Sequence, residues 1–156
     1  MIASISLALL ALASLVLAWI DLRRGLIPDW LNLAIAVFGL ARAAMLDGWA
    51  AALSAGCEGI VVGVIVWLLR QLYFMFRKFQ GLGLGDVKLL AASGIWIGIA
   101  GVPLQLLVAS LTALAAAAVM QFAGRSMTRQ TAMPFGPFIA LGLLVTLALQ
   151  QGGWIS

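Results

Sequence analysis

Residues 2–20, IASISLALLALASLVLAWI, carry no charged side chain. A run of this length spans the ~30 Å hydrocarbon core of a bilayer as a single helix. In lipid a backbone must satisfy its own hydrogen bonds, so an apolar run like this one folds as a helix. Further apolar stretches follow at about 29–46, 50–69, 86–101, 103–123 and 135–150. The pattern predicts an all-α, integral membrane six-helix bundle, with the whole of 1–156 as a single transmembrane domain.

Composition agrees. The chain is 65% hydrophobic and 9% charged, with a mean hydropathy of +1.17. Soluble domains carry roughly a quarter charged residues. The net charge of +4 does not indicate nucleic acid, because the nine cations fall between apolar runs and form no basic stripe. Cys57 is the one cysteine and there is no histidine. Disulfides within the chain, multi-cysteine zinc sites, His-based triads and His-ligated metals are thereby excluded.

The links between the spans alternate between two sides. One side collects Arg23, Arg24, Arg70, Arg77, Lys78, Lys88, Arg125 and Arg129, and the other only Arg42. Under the positive-inside rule the first side is cytoplasmic, and both termini face outward. Arg23 and Arg24 follow the first run and no cation precedes it, which is the reverse of a secretory signal. The first run is therefore read as a retained helix. Pro103 is expected to open the fifth span. Gly59-x-x-x-Gly63 and Gly94-x-x-x-Gly98 are expected to mark close helix packing. Trp30, Trp49 and Trp154 are read as interfacial anchors.

Three of the five acids, Asp21, Asp29 and Asp86, fall in the cytoplasmic layer. Asp47 lies outside, and Glu58 is expected to pair with Arg42 toward the outer surface. Without histidine or a reactive cysteine loop, the strongest catalytic option is a pair of aspartates. Two adjacent carboxyl groups cannot both ionise cheaply and share one proton. One then activates a water while the other polarises the carbonyl under attack. The stretch GLGLGDVKLL, residues 81–90, suits this: Gly83 and Gly85 would let an extended backbone approach Asp86 without a side-chain clash. Structural readings stand beside each residue. Asp21 could pair with Arg24, Asp29 after Pro28 could start a helix, Asp86 could cap one, and Lys88 could anchor the topology.

DLRRGLIPD, GLGLGDVKLLAASGIWIG and PFGPFIALG resemble, in order and spacing, the three signature stretches of bacterial type IV prepilin peptidases. These are GxGD-type intramembrane aspartyl proteases, and the resemblance runs from about residue 16 to 145. It implies Asp21 and Asp86 as the catalytic pair. It implies site-shaping roles for Gly83, Gly85, Lys88, Pro28, Asp29 and the turn Pro134, Phe135 and Gly136. Family members remove the leader of prepilins and pseudopilins at the cytoplasmic face, after a glycine. Larger members add an N-terminal four-cysteine zinc region and N-methylate the new terminus. This chain, with Cys57 alone, is expected to be a short form lacking that region. The expectation is a leader peptidase of the bacterial inner membrane, needing no metal or cofactor, whose partners are a prepilin helix and lipid. A proton-coupled transporter using the same aspartates is the rival reading, and a divalent-metal phosphotransferase with Asp21, Asp29 and Asp86 as ligands is a weaker one.

Overall fold

A computed structural model describes residues 2–77, 82–122 and 134–154. Lys78, Gly81, Arg125 and Arg129 of the readings above lie outside the described residues, as does the side chain of Arg77. The described residues form five helices: α1 (Ile2–Arg24), α2 (Asp29–Asp47), α3 (Trp49–Arg77), α4 (Leu84–Phe122) and α5 (Gly136–Gln151). Segments Ile5–Arg24, Asp29–Asp47, Trp49–Phe76 and Leu84–Phe122 are long and apolar enough to cross a membrane, and α5 is a shorter apolar helix. The protein is an integral membrane protein.

α4 is interrupted at Gly98, whose φ of 70° and ψ of 169° are open only to glycine. Five helices with one break make the expected six segments, but the break is five residues earlier than Pro103. Pro103 sits inside the second segment, about one turn from its start, and costs that segment one hydrogen bond. Gly98 instead opens the ladder, so it belongs to the break and not to a packing stripe. Breaking a helix inside a bilayer strands backbone groups at several kcal/mol each unless protein satisfies them. Here both ends find partners. The Ile99 N–H donates to Glu58 Oε2 at 2.8 Å, and Gln150 Nε2 donates to the Ile97 carbonyl at 2.9 Å. Glu58 is thus a helix cap supplied by α3, not the ion-pair partner of Arg42. The Arg42 guanidinium lies instead over the Trp96 ring, 5.9 Å from its centroid.

α4 packs against α2, α3 and α5, and α1 packs against α2 and α5. Leu10, Leu17, Ile35, Leu89, Leu90, Ile139 and Leu143 form the sealed centre. Leu12, Leu15, Leu53, Ile60 and Leu114 face outward, as side chains in contact with lipid tails do. α3 meets α4 through small residues, as its glycine spacing predicts. A Cβ on Gly59 would stand 2.5 Å from Ile95 Cγ1 and 2.9 Å from the Ala91 carbonyl oxygen. Polar ties lock the centre. Gln105 Nε2 donates to Ser93 Oγ at 2.9 Å and to the Ile139 carbonyl at 3.1 Å, and Trp96 Nε1 donates to the Ile35 carbonyl at 2.9 Å. These bonds tie the two halves of α4 to each other and to α5 and α2. They hold the N-termini of α2, α4 and α5 at the end of the bundle where α1 finishes.

Candidate active site

The site begins where α1 ends. Gly25 takes φ 63° and its N–H donates to the Asp21 carbonyl at 2.7 Å, closing the helix. Leu26 and Ile27 then lead to Pro28, whose φ of −66° and ψ of 132° place it just before α2. The Pro28 carbonyl accepts the Leu31 N–H at 3.1 Å and starts that helix. This short return leaves Asp21 on the last turn of α1, facing the bundle and only 4% exposed.

Asp21 Oδ2 accepts the Gly136 N–H at 2.9 Å, a contact across 115 residues of sequence. Gly136 is the first residue of α5, following Pro134 and Phe135. Asp21 therefore satisfies an orphan donor at a helix N-terminus, where the helix dipole favours negative charge. No ion pair with Arg24 is needed to account for it. Asp86 has the same kind of setting on α4. It lies in the first turn, is 9% exposed, and accepts a hydrogen bond from the Gly83 backbone. A carboxylate at the third helical position reaching back to the residue before the helix is half of a capping box. The capping reading of Asp86 is thus correct as structure.

Space for a side chain is scarce around both carboxylates. A Cβ on Gly136 would stand 2.6 Å from Asp21 Oδ2, and one on Gly83 would stand 3.3 Å from Asp86 Oδ2. A Cβ on Gly85 would press on Ile27 at 2.9 Å. The PFGP turn and the glycine stretch, far apart in sequence, thus both lie against Ile27. Phe135 closes the turn by accepting the Phe138 N–H at 3.1 Å, with their rings 6.3 Å apart.

Asp29 stands aside from this pair. It accepts a hydrogen bond from Lys88 Nζ at 2.7 Å, with the two side chains 73% and 51% exposed. The pair bridges the starts of α2 and α4, so Lys88 is tied to a specific partner. Two residues were not singled out from the sequence. Asn32, 4% exposed, donates from Nδ2 to the Gly85 carbonyl at 3.4 Å. Its signal was an amide within an apolar helix, one turn after Asp29. Ile27 lies against both Gly85 and Gly136. An isoleucine in an apolar chain gives no signal of that kind.

The arrangement is two buried carboxylates at one end of a helical bundle, Asp86 in the first turn of α4 and Asp21 bonded to the first residue of α5. Acid–base chemistry on a water is what such a pair can do. Transport would call for acids along a path through the bundle, whereas both of these lie at one rim. Among the described residues no three His, Cys, Asp or Glu side chains converge as a metal ligand set.

This geometry defines an all-helical membrane protein with two buried aspartates at one end of its bundle. The profile of the type IV leader peptidase family matches residues 8–118, which include Asp21 and Asp86, and the chain belongs to that family. It is 37% identical over 139 residues to a prepilin leader peptidase/N-methyltransferase of Burkholderia pseudomallei, covering 88% of this chain and 44% of that protein. It is 36% identical over 146 residues to the Escherichia coli K12 protein of the same description, covering 91% of this chain and 61% of that one. A third, from Neisseria gonorrhoeae, is 36% identical over 141 residues, covering 89% and 43%. The chain spans about half the length of the curated relatives it matches. No solved structure matches.

Proposed function

We propose that this protein is an aspartyl endopeptidase that removes the leader of a prepilin or pseudopilin, with Asp21 and Asp86 as its catalytic pair. The observation that carries the reading is that both carboxylates, 65 residues apart in sequence, are buried at helix starts, at Gly136 and Gly85, that pack against the same side chain, Ile27. One of the pair is ionised and takes a proton from a water held between them. The other is protonated and donates to the carbonyl oxygen of the scissile bond. Collapse of the tetrahedral intermediate returns a proton to the leaving amine and restores the single shared proton. The Gly136 and Gly83 N–H groups fix the two carboxylates, so little reorganisation is needed as charge moves.

The whole chain acts as one transmembrane protease domain, and this rim faces the cytoplasm across the bacterial inner membrane. Arg23, Arg24 and Lys88 lie at this end. Arg70 does too, donating from Nε to the Leu82 carbonyl at 2.9 Å, whereas Arg42 is near the opposite end of α2. Such a bias supports a cytoplasmic rim and outward termini. The substrate's apolar helix lies among the spans, with its cleavage bond at the rim. Incubating the purified protein with a prepilin in detergent or liposomes tests this by loss of the leader. Asp21→Asn and Asp86→Asn should each lower the rate by orders of magnitude, since groups acting as a unit fail together. Near-normal cutting by either variant overturns the assignment.

A further inference from the structure

Each of the two carboxylates accepts from a main-chain N–H, and each N–H shares its planar peptide unit with a carbonyl that is itself held. The Gly136 N–H donates to Asp21 Oδ2 at 2.9 Å, and the carbonyl of the same unit, that of Phe135, accepts the Phe138 and Ile139 N–H groups at 3.1 Å. The first turn of α5 thus fixes that unit by itself. On the other side the Gly83 N–H donates to Asp86, and the carbonyl of its unit belongs to Leu82. Leu82 and Gly83 lie before the first residue of α4, and the partner of this carbonyl comes from another helix. Arg70, toward the end of α3, donates to it from Nε at 2.9 Å. One rigid plane therefore joins a guanidinium on α3 to a carboxylate on α4.

The strip held by this bond has little stiffness of its own. Glycine at 83 and 85 leaves its torsions open. Arg70 and Leu82 line a cavity of about 400 Å³ together with Val66, Tyr73, Leu90 and Leu106, so close packing does not fill the space between α3 and the strip. A hydrogen bond from a cation is shorter and stronger than a neutral one. By polarising the carbonyl it also makes the N–H of the same unit a better donor. Rotation of the plane would swing the Gly83 N–H away from Asp86. The rival role for Arg70 is that of a topology anchor, which needs its charge and not its hydrogen bond.

We propose that Arg70 is a positioning residue of the site, whose guanidinium holds the Leu82–Gly83 peptide plane so that the Gly83 N–H points at the Asp86 carboxylate. The inference rests on the reading of Asp86 as half of the catalytic pair and goes beyond it by naming the residue on α3 that sets that carboxylate.

The test uses the full chain and leader cleavage. Arg70→Met keeps an unbranched apolar stem and removes every donor. It should lower kcat by about tenfold to hundredfold, the scale of a small misplacement of a reacting group, with KM nearly unchanged. Arg70→Gln loses the charge but keeps an N–H donor the same number of bonds from the backbone, and it should recover most of that loss. A charge anchor predicts equal loss from both, so Arg70→Gln as slow as Arg70→Met overturns the proposal, as does a folded Arg70→Met protein with normal kcat. Should Arg70→Met not fold, Arg70→Lys takes its place. It keeps the charge but puts its donor one bond further out, so it should be slower than Arg70→Gln, and the reverse order overturns the proposal. A second readout needs no turnover. Labelling with carbonyl-13C leucine and 15N glycine selects the amides of Gly83, Gly85 and Gly142, each preceded by leucine. The Gly83 signal, identified by its loss in Gly83→Ala, should move upfield in Arg70→Met as it does in Asp86→Ala, while that of Gly142 stays in place. An unmoved Gly83 signal in Arg70→Met overturns the tether. Failure of wild-type protein to cut any prepilin would instead overturn the endopeptidase reading, with the Gly83 signal still deciding whether Arg70 holds the plane.

Discussion

Gly136→Ala changes one hydrogen into a methyl group at the contact that joins the two ends of the chain. The added carbon would stand 2.6 Å from Asp21 Oδ2, 2.9 Å from Ile27 Cδ1 and 3.1 Å from Asp21 Cγ. None of these atoms is free to retreat. Asp21 is held by the Gly136 N–H at 2.9 Å, and Ile27 is already against Gly85. Relief requires either α5 or the carboxylate to move by several tenths of an ångström. Overpacking of this kind costs about 1–3 kcal/mol, and weakening a hydrogen bond to a charged group costs about 1.5–3 kcal/mol. The same displacement moves one carboxyl group relative to the other. Taking 1–3 kcal/mol at the transition state predicts a fall in kcat/KM of roughly 5-fold to 150-fold. Leader cleavage measures this, alongside thermal unfolding in detergent. Gly56→Ala is the control, because its Cβ would meet only Leu40 Cδ2, at an ordinary 3.4 Å. A folded Gly136→Ala protein with unchanged kcat/KM would refute the claim that Gly136 positions Asp21.

Three other outcomes follow from the fold. Glu58→Leu leaves the Ile99 N–H unpaired at the break in α4, so the midpoint of thermal unfolding should fall by an amount equivalent to about 1–3 kcal/mol, while Glu58→Gln, which can still accept, should retain most of the stability. Gly59→Val places carbon 2.5 Å from Ile95 Cγ1 and against the Ala91 carbonyl, so it should destabilise by at least about 1–3 kcal/mol or leave no folded protein, read by unfolding and by recovery of monodisperse material. A double-mutant cycle on Asp29→Asn and Lys88→Gln should return a coupling under about 1 kcal/mol that fades with added salt, because both side chains are more than half exposed. A coupling of several kcal/mol would mean that the pair is desolvated in the membrane.

Class and membrane character were legible without coordinates, because lipid imposes a local rule. Each segment must close its own hydrogen bonds, so apolar length translates directly into helices, and 2–20, 29–46 and 135–150 fall within a few residues of α1, α2 and α5. Asp21 and Asp86 were found as candidates because acids are costly in such a chain and therefore few. Three things depended on tertiary contacts. The break in α4 lies at Gly98 and not near Pro103, because partners for the freed backbone groups come from Glu58 and Gln150 on other helices. Asp29 separates from the other two acids because Lys88 reaches it across the start of α4. Ile27 acquires its place only when Gly85 and Gly136 approach it from two sides. Hydropathy is a property of a segment read along the chain, whereas each of these three is a distance between segments, and only the packed bundle sets such distances.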